Sequence, residues 1–486
     1  MSDVLGWASG IRTLISYLGA RPAETDDADK LLAQLAAVCD SGLADNQLWA
    51  TWALLRGELP TESQLVSFRR NAGLNGAAKA LADLGPRAGS SIFGLSTEVE
   101  ILTHAVLVDV HHTSTTVMRS GVQRVVREAA LRWGKAHDLV FVSWTEDEKA
   151  LRRLTISEEA RIRGGDPDSS VTIAPSPAKI VVPLTGLMIV PELATDAGVA
   201  ERFLAMGRFS AMDVVYIGYD CVPLTSGETT DTPIASNFPL YLDAVSYGAR
   251  VATISESTAL EFRSWKKMLP SSGRVGPDVR TVFLGGDSSE PHASDLAETR
   301  RLLGVTDGEP VVLAVGSHEP RKNHLALLQA ARILWDQGEK FRLVLIGSSS
   351  WGSGAFDALA TVLQENGRPL VILSNASDAV LSSSYRIAKV SVFTSFHEGF
   401  GLPIVESLQA GTPVIASNVG SMLEIARRYG GVITVDPHSD SELEQALRTA
   451  LHEPLILDQK RRDLAANTYV SWDDYAGELW SYFTGE

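Results

Sequence analysis

The sequence has few cysteines, no long apolar run and no leader-like N-terminus. Its two cysteines, Cys39 and Cys221, cannot build a disulfide framework or a thiolate metal site, and they fit a reducing cytosol. The longest apolar stretch, residues 180–191, is broken by Pro183 and Gly186 and is too short to cross a bilayer. The N-terminus lacks the basic region and cleavage site of a signal peptide. We therefore expect a cytoplasmic protein without a transmembrane segment, attached to a membrane at most peripherally.

The sequence also lacks an excess of basic residues. Its 43 Lys and Arg against 59 Asp and Glu give a formal net charge of −16. A general nucleic-acid binder needs a basic face to release counterions, so this class is not expected. A local basic patch could still hold an anionic ligand.

At 486 residues, the chain is long enough for two or three domains. Residues 1–95 show apolar positions at helical spacing and predict a helical appendage. From about residue 100 onward, short β-branched runs alternate with amphipathic stretches, which predicts parallel sheets covered on both faces. The first series of runs is 105–110, 139–144, 213–220, 250–255 and 280–285, and the second is 311–316, 341–347, 370–374, 390–393, 413–417 and 432–435.

Two such series predict an α/β fold with two doubly wound, Rossmann-like domains that face each other across a cleft. The first is expected over residues 96–288 and the second over 289–468. The Gly-, Ser-, Asp- and Pro-rich stretch 285–296 is the expected linker. Because open parallel sheets bind ligands at the carboxyl ends of their strands, functional residues should follow the strands directly.

The most informative stretch, T-S-F-H-E-G-F-G-L-P-I-V-E, follows the run 390–393. A helix should begin at Leu402 or Pro403, because proline is favoured in a first helical turn. Gly399 and Gly401 allow the backbone N–H groups of the turn to approach a ligand, and the helix N-terminus favours an anion. For two glutamates alone, an ordinary strand–turn–helix with a capping glutamate remains the alternative.

The full stretch resembles the donor-binding motif of the retaining glycosyltransferases of family 4, the glycogen-synthase-like group 1 enzymes, which have the two-domain GT-B fold. The resemblance covers most of residues 105–485. It implies that Glu398 contacts the hydroxyls of the donor sugar and that Glu406 binds the ribose hydroxyls. Contacts to the sugar and the diphosphate would come from the backbones of Gly399, Phe400, Gly401 and Leu402, and contacts to the base from residues 374–376, which include Asn375.

A second match lies in V-V-L-A-V-G-S-H-E-P-R-K-N-H, residues 311–324. Arg321 and Lys322 stand at a helix start, where cations oppose the helix dipole, so either a bound anion or solvent must offset them. The family carries a lysine at the position of Lys322, which implies a contact to the donor diphosphate. Many members carry an arginine where this chain has Ser317. The phosphate contacts are therefore expected from Arg321 and Lys322, with the arginine contact missing as the alternative.

The first domain supplies a third match after the run 105–110. His111 and His112 have no third ligand at a sensible spacing, so a metal site is not expected. The stretch 120–125 resembles the glycine loop of the same family, which implies that Gly121 lies near the donor phosphates and the acceptor, with His111 beside the cleft. Arg119 and Arg124 are possible contacts there, although a salt bridge on the helix surface is the favoured role of Arg124.

Three further features complete the resemblance. Tyr219 stands where some members have a catalytically helpful histidine, and Asp220 matches their aspartate at the acceptor cleft. Ser255 or Ser257 is expected only to cap a helix. Residues 469–486 resemble a closing helix that returns to the first domain.

The resemblance implies transfer of a sugar from a GDP-, UDP- or dTDP-linked donor with retention of the anomeric configuration. Cations and helix N–H groups can stabilise the leaving diphosphate, so neither a metal nor another cofactor is expected. The Asp166–Asp168 pair, the one Asp-x-Asp sequence considered for a metal, is interpreted as a turn.

The expected acceptor is a growing surface glycan or glycolipid such as a lipopolysaccharide or capsule chain, with mannosyl or rhamnosyl transfer favoured. Two alternatives stay open: a related enzyme that uses a sugar-phosphate acceptor, and an inactive nucleotide-binding scaffold. Residues 1–90 could mediate oligomerisation, contact a partner enzyme or pack on the first domain, and assembly is the favoured hypothesis.

Overall fold

The computed structural model describes residues 2–84, 99–116, 120–164, 179–230, 232–287 and 290–486. In the described part of the appendage, the chain forms helices only. They are α1 (Ser2–Tyr17), α2 (Ala28–Cys39), α3 (Asp45–Arg56), α4 (Glu62–Asn75) and α5 (Ala77–Leu84). Helix α4 was not expected as a separate helix. It begins at a capping box in which the Thr61 hydroxyl accepts from Gln64 N.

The first α/β domain is built on a mixed sheet with the order β1-β5-β4-β3-β2-β6-β7-β8-β9. Its strands are β1 (Val99–Leu102), β2 (Ala105–Asp109), β3 (Val140–Trp144), β4 (Leu151–Arg153), β5 (Ile180–Pro183), β6 (Thr185–Val190), β7 (Ala211–Gly218), β8 (Arg250–Thr253) and β9 (Asp278–Thr281). Its helices are α6 (His111–Thr115), α7 (Gly121–Ala136), α8 (Ile156–Ile162), α9 (Ala197–Phe209), α10 (Val222–Thr225), α11 (Thr232–Val245) and α12 (Glu256–Lys266).

This sheet corrects the sequence prediction at three points. Strand β4 runs antiparallel to β3 and β5, so the sheet is not wholly parallel. Strands β1, β4, β5 and β6 were not among the predicted runs. The predicted run 280–285 overlaps β9 by only two residues, because pairing with β8 ends at Thr281.

The second α/β domain contains a fully parallel sheet with the order β12-β11-β10-β13-β14-β15. Its strands are β10 (Val311–Val315), β11 (Arg342–Ile346), β12 (Leu370–Leu373), β13 (Val390–Phe393), β14 (Val414–Ser417) and β15 (Val432–Val435). The helices are α13 (Ala293–Leu302), α14 (His324–Asp336), α15 (Gly354–Glu365), α16 (Asp378–Ile387), α17 (Leu402–Gln409), α18 (Gly420–Tyr429), α19 (Asp440–His452) and α20 (Pro454–Leu464). The predicted α/β fold class, with two sheet domains and a helical appendage, is confirmed.

A last helix, α21 (Trp472–Thr484), packs on the first domain. The Trp133 indole N–H of α7 donates to the Ala476 carbonyl over 2.9 Å, and Arg250 of β8 donates to the Phe483 carbonyl over 3.0 Å. The chain thus crosses from the second domain back to the first. Among the described residues, none of the helices combines the length and the apolar character needed to cross a bilayer.

The appendage is part of the first domain's core. Its buried apolar side chains, among them Trp49 and Leu65, belong to the same cluster as Leu107 and Val142 of the first sheet. The Leu59 N–H donates to the Lys149 carbonyl over 2.7 Å. Of the three alternatives for residues 1–90, packing on the first domain is the one the structure shows, and a role in assembly stays a prediction.

A pair of leucines in α4 provides a test of this shared core. Leu65 is fully buried, whereas Leu74 is 72% exposed. We expect Leu65→Ala to lower the free energy of unfolding by about 2–5 kcal/mol, because it removes buried methyl groups and leaves a cavity. Leu74→Ala should change it by less than about 0.5 kcal/mol. Urea unfolding followed by tryptophan fluorescence and circular dichroism measures both.

An appendage that folds independently would give a different result. Leu65→Ala would then produce a separate early transition and leave the main transition unchanged, which would contradict the shared core.

Candidate functional site

The candidate site lies where the strand order of the second sheet reverses. Strands β10 and β13 are neighbours although they are far apart in sequence, and open α/β sheets bind ligands at such a switch point. The loop after β10 carries Arg321 and Lys322 in a short 3-10 turn, and the loop after β13 carries Glu398. The Phe396 N–H donates to the Arg321 carbonyl over 2.9 Å, which joins the two loops.

Glu398 is the buried charge at the centre of this site. One carboxylate oxygen lies 2.7 Å from an Arg321 nitrogen, and the other lies 2.6 Å from the Lys322 ammonium. Burial alone would raise the pKa of Glu398, but the charges and hydrogen bonds of the two cations lower it to about 2. The carboxylate is therefore ionised throughout the neutral range.

The turn between Glu398 and α17 touches the first domain with its backbone. A Cβ at Gly399 would lie 2.1 Å from the Tyr219 carbonyl oxygen, so only glycine allows this approach. Gly401 has φ of 123° and directly precedes Leu402, the first residue of α17, as predicted for the start of this helix. The Phe400 ring is buried against Phe283, with 4.9 Å between the ring centroids.

Two side chains of the first domain hold this turn. The Ser255 hydroxyl donates to the Gly399 carbonyl over 2.6 Å, and the Thr258 hydroxyl lies 3.0 Å from the same oxygen. Ser255 also caps α12, as expected, but its contact with Gly399 was not predicted. Glu424 of α18 accepts hydrogen bonds from the Glu256 and Ser257 N–H groups, so the second domain also caps this helix.

Glu406 lies in α17, about one turn from its start, and binds across the domain interface. Arg124 of α7 pairs with one of its carboxylate oxygens, and the Tyr385 hydroxyl donates to the other over 2.8 Å. The expectation of a salt bridge on the helix surface is wrong for Arg124, because its partner belongs to the other domain. No local pattern around Arg124 points to a residue so far along the chain.

Tyr219 and Asp220 both follow β7, but their side chains make different contacts. The Tyr219 hydroxyl is buried and donates to the Pro191 carbonyl over 2.6 Å, so only its backbone meets the turn at Gly399. Asp220 accepts a hydrogen bond from the Val222 N–H. Burial raises the pKa of Asp220, an effect that the charge of Arg321 opposes.

His397 is a site residue that the sequence reasoning missed. Its imidazole Nε2 lies 2.7 Å from the carboxylate of Glu261 in α12, and its carbonyl accepts from Arg321 over 2.6 Å. The hydrogen bond to Glu261 raises the pKa of His397, although burial opposes the shift. The histidine stands directly before Glu398 in the motif, which was the available signal, but Glu261 had no signal at all.

The remaining predicted residues lie away from Glu398 or bind locally. His111 Nδ1 lies 2.8 Å from the Ser143 hydroxyl within the first domain, and burial lowers the pKa of His111 to about 4. Gly121 is the first residue of α7, behind the Ser120 cap. The Ser317 hydroxyl donates to Glu319 over 2.9 Å, and Asn375 is exposed after β12.

Two predictions fall on residues without a structural description. Arg119 and the Asp166–Asp168 pair lie outside the described residues. Within the described ranges, no group of three or more His, Cys, Asp or Glu side chains is arranged to hold a metal ion.

Known proteins resemble this chain in part of its sequence and in its fold. Residues 295–470 match the family model described as glycosyl transferases group 1. The chain is 27% identical over 353 residues to the serotype-specific mannosyltransferase WbdA of Escherichia coli, covering 70% of this chain and 42% of WbdA. It is 31% identical over 166 residues to the O-antigen chain mannosyltransferase B of Escherichia coli, covering 33% of this chain and 42% of that protein.

Solved structures show the same architecture. HepE of Anabaena, solved with UDP and glucose, superimposes with a TM-score of 0.58 at 14% identity, covering 79% of this chain and 100% of HepE. The chain has the GT-B fold, and residues 295–470 of its second domain match the group 1 glycosyltransferase model. It spans about two fifths of the length of the curated relatives named above.

The His397–Glu261 pair predicts a pH-dependent stability. Because the pKa of His397 is raised above 6.5 in the folded protein, its contribution is fully present below pH 6.5 and is lost as the pH rises through the folded-state pKa. We expect the difference in the free energy of unfolding between the wild type and His397→Gln to decrease between about pH 6 and about pH 9. This range begins near the ordinary histidine pKa and extends above it. Urea unfolding at a series of pH values measures it.

The partner variant Glu261→Gln serves as the control, since it removes the same interaction and should flatten the same part of the pH profile. A stability difference that does not change with pH would show that the imidazole carries no charge in this pair.

Proposed function

We propose that the chain is a nucleotide-sugar-dependent hexosyltransferase of family 4 that works with retention and without a metal. The observation that carries the proposal is the buried Glu398 carboxylate, bridged by Arg321 and Lys322 beside the N-terminus of α17. The match of residues 295–470 to the group 1 glycosyltransferase model supports the same function.

The chemistry of the transfer requires positive charge in this place. When a nucleoside diphosphate leaves, negative charge grows on its outer phosphate while the sugar becomes cationic. Arg321, Lys322 and the N–H groups at the start of α17 would stabilise the leaving group without reorganising, at roughly 3–4 kcal/mol for each donor. A metal ion is then unnecessary for that step.

Glu398 acts in this proposal as a charged, orienting residue. A carboxylate with a pKa of about 2 is a poor general acid or base near neutral pH. It is also held at both oxygens, which suits hydrogen bonding with sugar hydroxyls better than nucleophilic attack. We therefore favour front-side attack, in which the departing phosphate accepts the proton of the acceptor hydroxyl.

For the substrates, we propose mannosyl transfer to a growing surface glycan or glycolipid. The support comes from the similarity to WbdA and to the O-antigen chain mannosyltransferase B, which are both named as mannosyltransferases. The acceptor would bind on the first domain, near Asp220. We place the protein in the cytoplasm, where a glycolipid acceptor would bring it to the inner face of the membrane. The base of the donor could be guanine, uracil or thymine.

Substitutions at the charged centre test the proposed chemistry. We expect Lys322→Ala to lower the turnover number by about 10²–10³-fold, because it removes a preorganised contact to the leaving group. Glu398→Gln should abolish transfer. Transfer from a radiolabelled nucleotide sugar measures both, and circular dichroism confirms the fold.

Lys267→Ala at the exposed end of α12 is the matched control and should keep full turnover. Near-normal turnover of a folded Lys322→Ala variant would show that the assignment of the phosphate site is wrong.

A thermal-shift panel of GDP, UDP, dTDP and ADP identifies the donor base. A ligand present at 100 times its dissociation constant stabilises the folded state by about 2.7 kcal/mol, so the cognate diphosphate should stand out clearly. The corresponding nucleotide sugar then allows the anomeric configuration of the product to be determined by NMR spectroscopy. Stabilisation by none of the four would contradict the proposed function, and an inverted product would contradict retention.

A further inference from the structure

Arg124 holds the carboxylate to which the family resemblance assigns the donor ribose. It extends from the first turn of α7 in the first domain and pairs with Glu406 of the second. The Glu406 side chain is 12% exposed and the Arg124 side chain 35%, so the pair is shielded but can be reached from solvent. Tyr385 donates to the second oxygen of the same carboxylate.

A ribose that binds Glu406 approaches a carboxylate that Arg124 already holds. Ribose hydroxyls would donate hydrogen bonds to the carboxylate, and both of its oxygens already accept one from a protein group. The bond to Arg124 is charge-assisted and therefore stronger than a bond from a neutral hydroxyl. Each oxygen can accept a second hydrogen bond, so the departure of Arg124 from Glu406 requires a new anionic partner for the guanidinium.

The start of α17 offers Arg124 a second position nearby. Glu406 follows Leu402 by four residues, which is about 6 Å along a helix that rises 1.5 Å per residue. The Glu406 backbone, whose side chain Arg124 holds, thus lies about one helical turn from the N–H groups assigned to the donor diphosphate. A planar guanidinium can bind phosphate oxygens in pairs, so a short swing of the side chain would give it a suitable anion.

In the loop after β10, the second domain has one cation fewer than the family resemblance implies. The family resemblance puts an arginine where this chain has Ser317, and the Ser317 hydroxyl is bonded to Glu319. Arg321 and Lys322 both bind Glu398, so part of their charge is already neutralised. A diphosphate would gain from one further cation, and among the described residues Arg124 of the first domain contacts α17.

We propose that Arg124 exchanges partners when the donor binds, leaving Glu406 to the ribose hydroxyls and pairing with the diphosphate. This inference rests on the proposed function. Arg124 is then a donor-binding residue supplied by the acceptor domain. In this exchange, the Arg124–Glu406 ion pair between the domains is lost. It is replaced by a contact between Arg124 of the first domain and a diphosphate bound to the second domain. Donor binding therefore changes the contact between the two domains.

Binding of nucleosides and nucleoside diphosphates tests this exchange. Guanosine and uridine are titrated by ligand-observed NMR, and GDP and UDP by calorimetry, against the full chain and Arg124→Leu. We expect Arg124→Leu to bind the cognate nucleoside several-fold more tightly, because the competitor for Glu406 is gone. It should bind the diphosphate about tenfold more weakly, because a charge-assisted contact is lost.

Arg132→Leu is the matched control, because Arg132 lies on the same helix and pairs with Glu128 over 2.6 Å. Neither affinity should change in this variant. Arg124→Lys keeps the charge without the planar fork and should bind the diphosphate with intermediate affinity, which also covers the case in which the leucine variant fails to fold.

The outcomes separate the two levels of the proposal. If Arg124→Leu raises the affinity for the nucleoside and the diphosphate equally, Arg124 only competes for Glu406, and the proposed exchange is wrong. If it changes neither affinity, the pair is purely structural and the exchange is again wrong. If the wild type binds neither diphosphate and none of the four nucleotides of the thermal-shift panel stabilises it, the proposed function itself fails, and the inference fails with it.

Discussion

The geometry of the cleft depends on the neutralisation of one buried carboxylate, that of Glu398. An ionised group in this position would be costly without partners, and Arg321 and Lys322 supply them from the loop after β10. The ion pairs hold that loop against the loop after β13. This in turn fixes the backbone of Gly399, whose carbonyl is the point where Ser255 and Thr258 of the first domain attach.

Near the site, the two domains share a buried apolar cluster and also meet through polar contacts. The Gly399 carbonyl accepts hydrogen bonds from two hydroxyls of the first domain. Glu424 caps α12, and Arg124 pairs with Glu406. Phe283 and Phe400 form an apolar contact beside them. Polar contacts suit an interface that must admit a charged substrate, because each of them can be exchanged for a similar contact to that substrate. A wholly apolar interface would have to be exposed to water before anything polar could enter.

Patterns within the sequence predicted the strands of the second sheet and the loops after β10 and β13 well, because continuous apolar runs and glycine-flanked turns are local features. The sequence predicted less where structure depends on distant partners. Strand β4 has three residues and runs antiparallel, which no periodicity reveals. The pairs Arg124–Glu406 and His397–Glu261 join residues far apart in the chain, so composition and spacing around each residue contained no sign of them.

The position of α21 has a consequence for how the protein is made. This helix covers α7 and supplies the carbonyl that binds the buried Trp133 indole, yet its residues leave the ribosome only after the whole second domain. Domains generally fold as units in the order of their synthesis. Here the domain made first keeps an uncovered apolar surface until residues 472–484 are available, so the completion of its fold is tied to the completion of its neighbour.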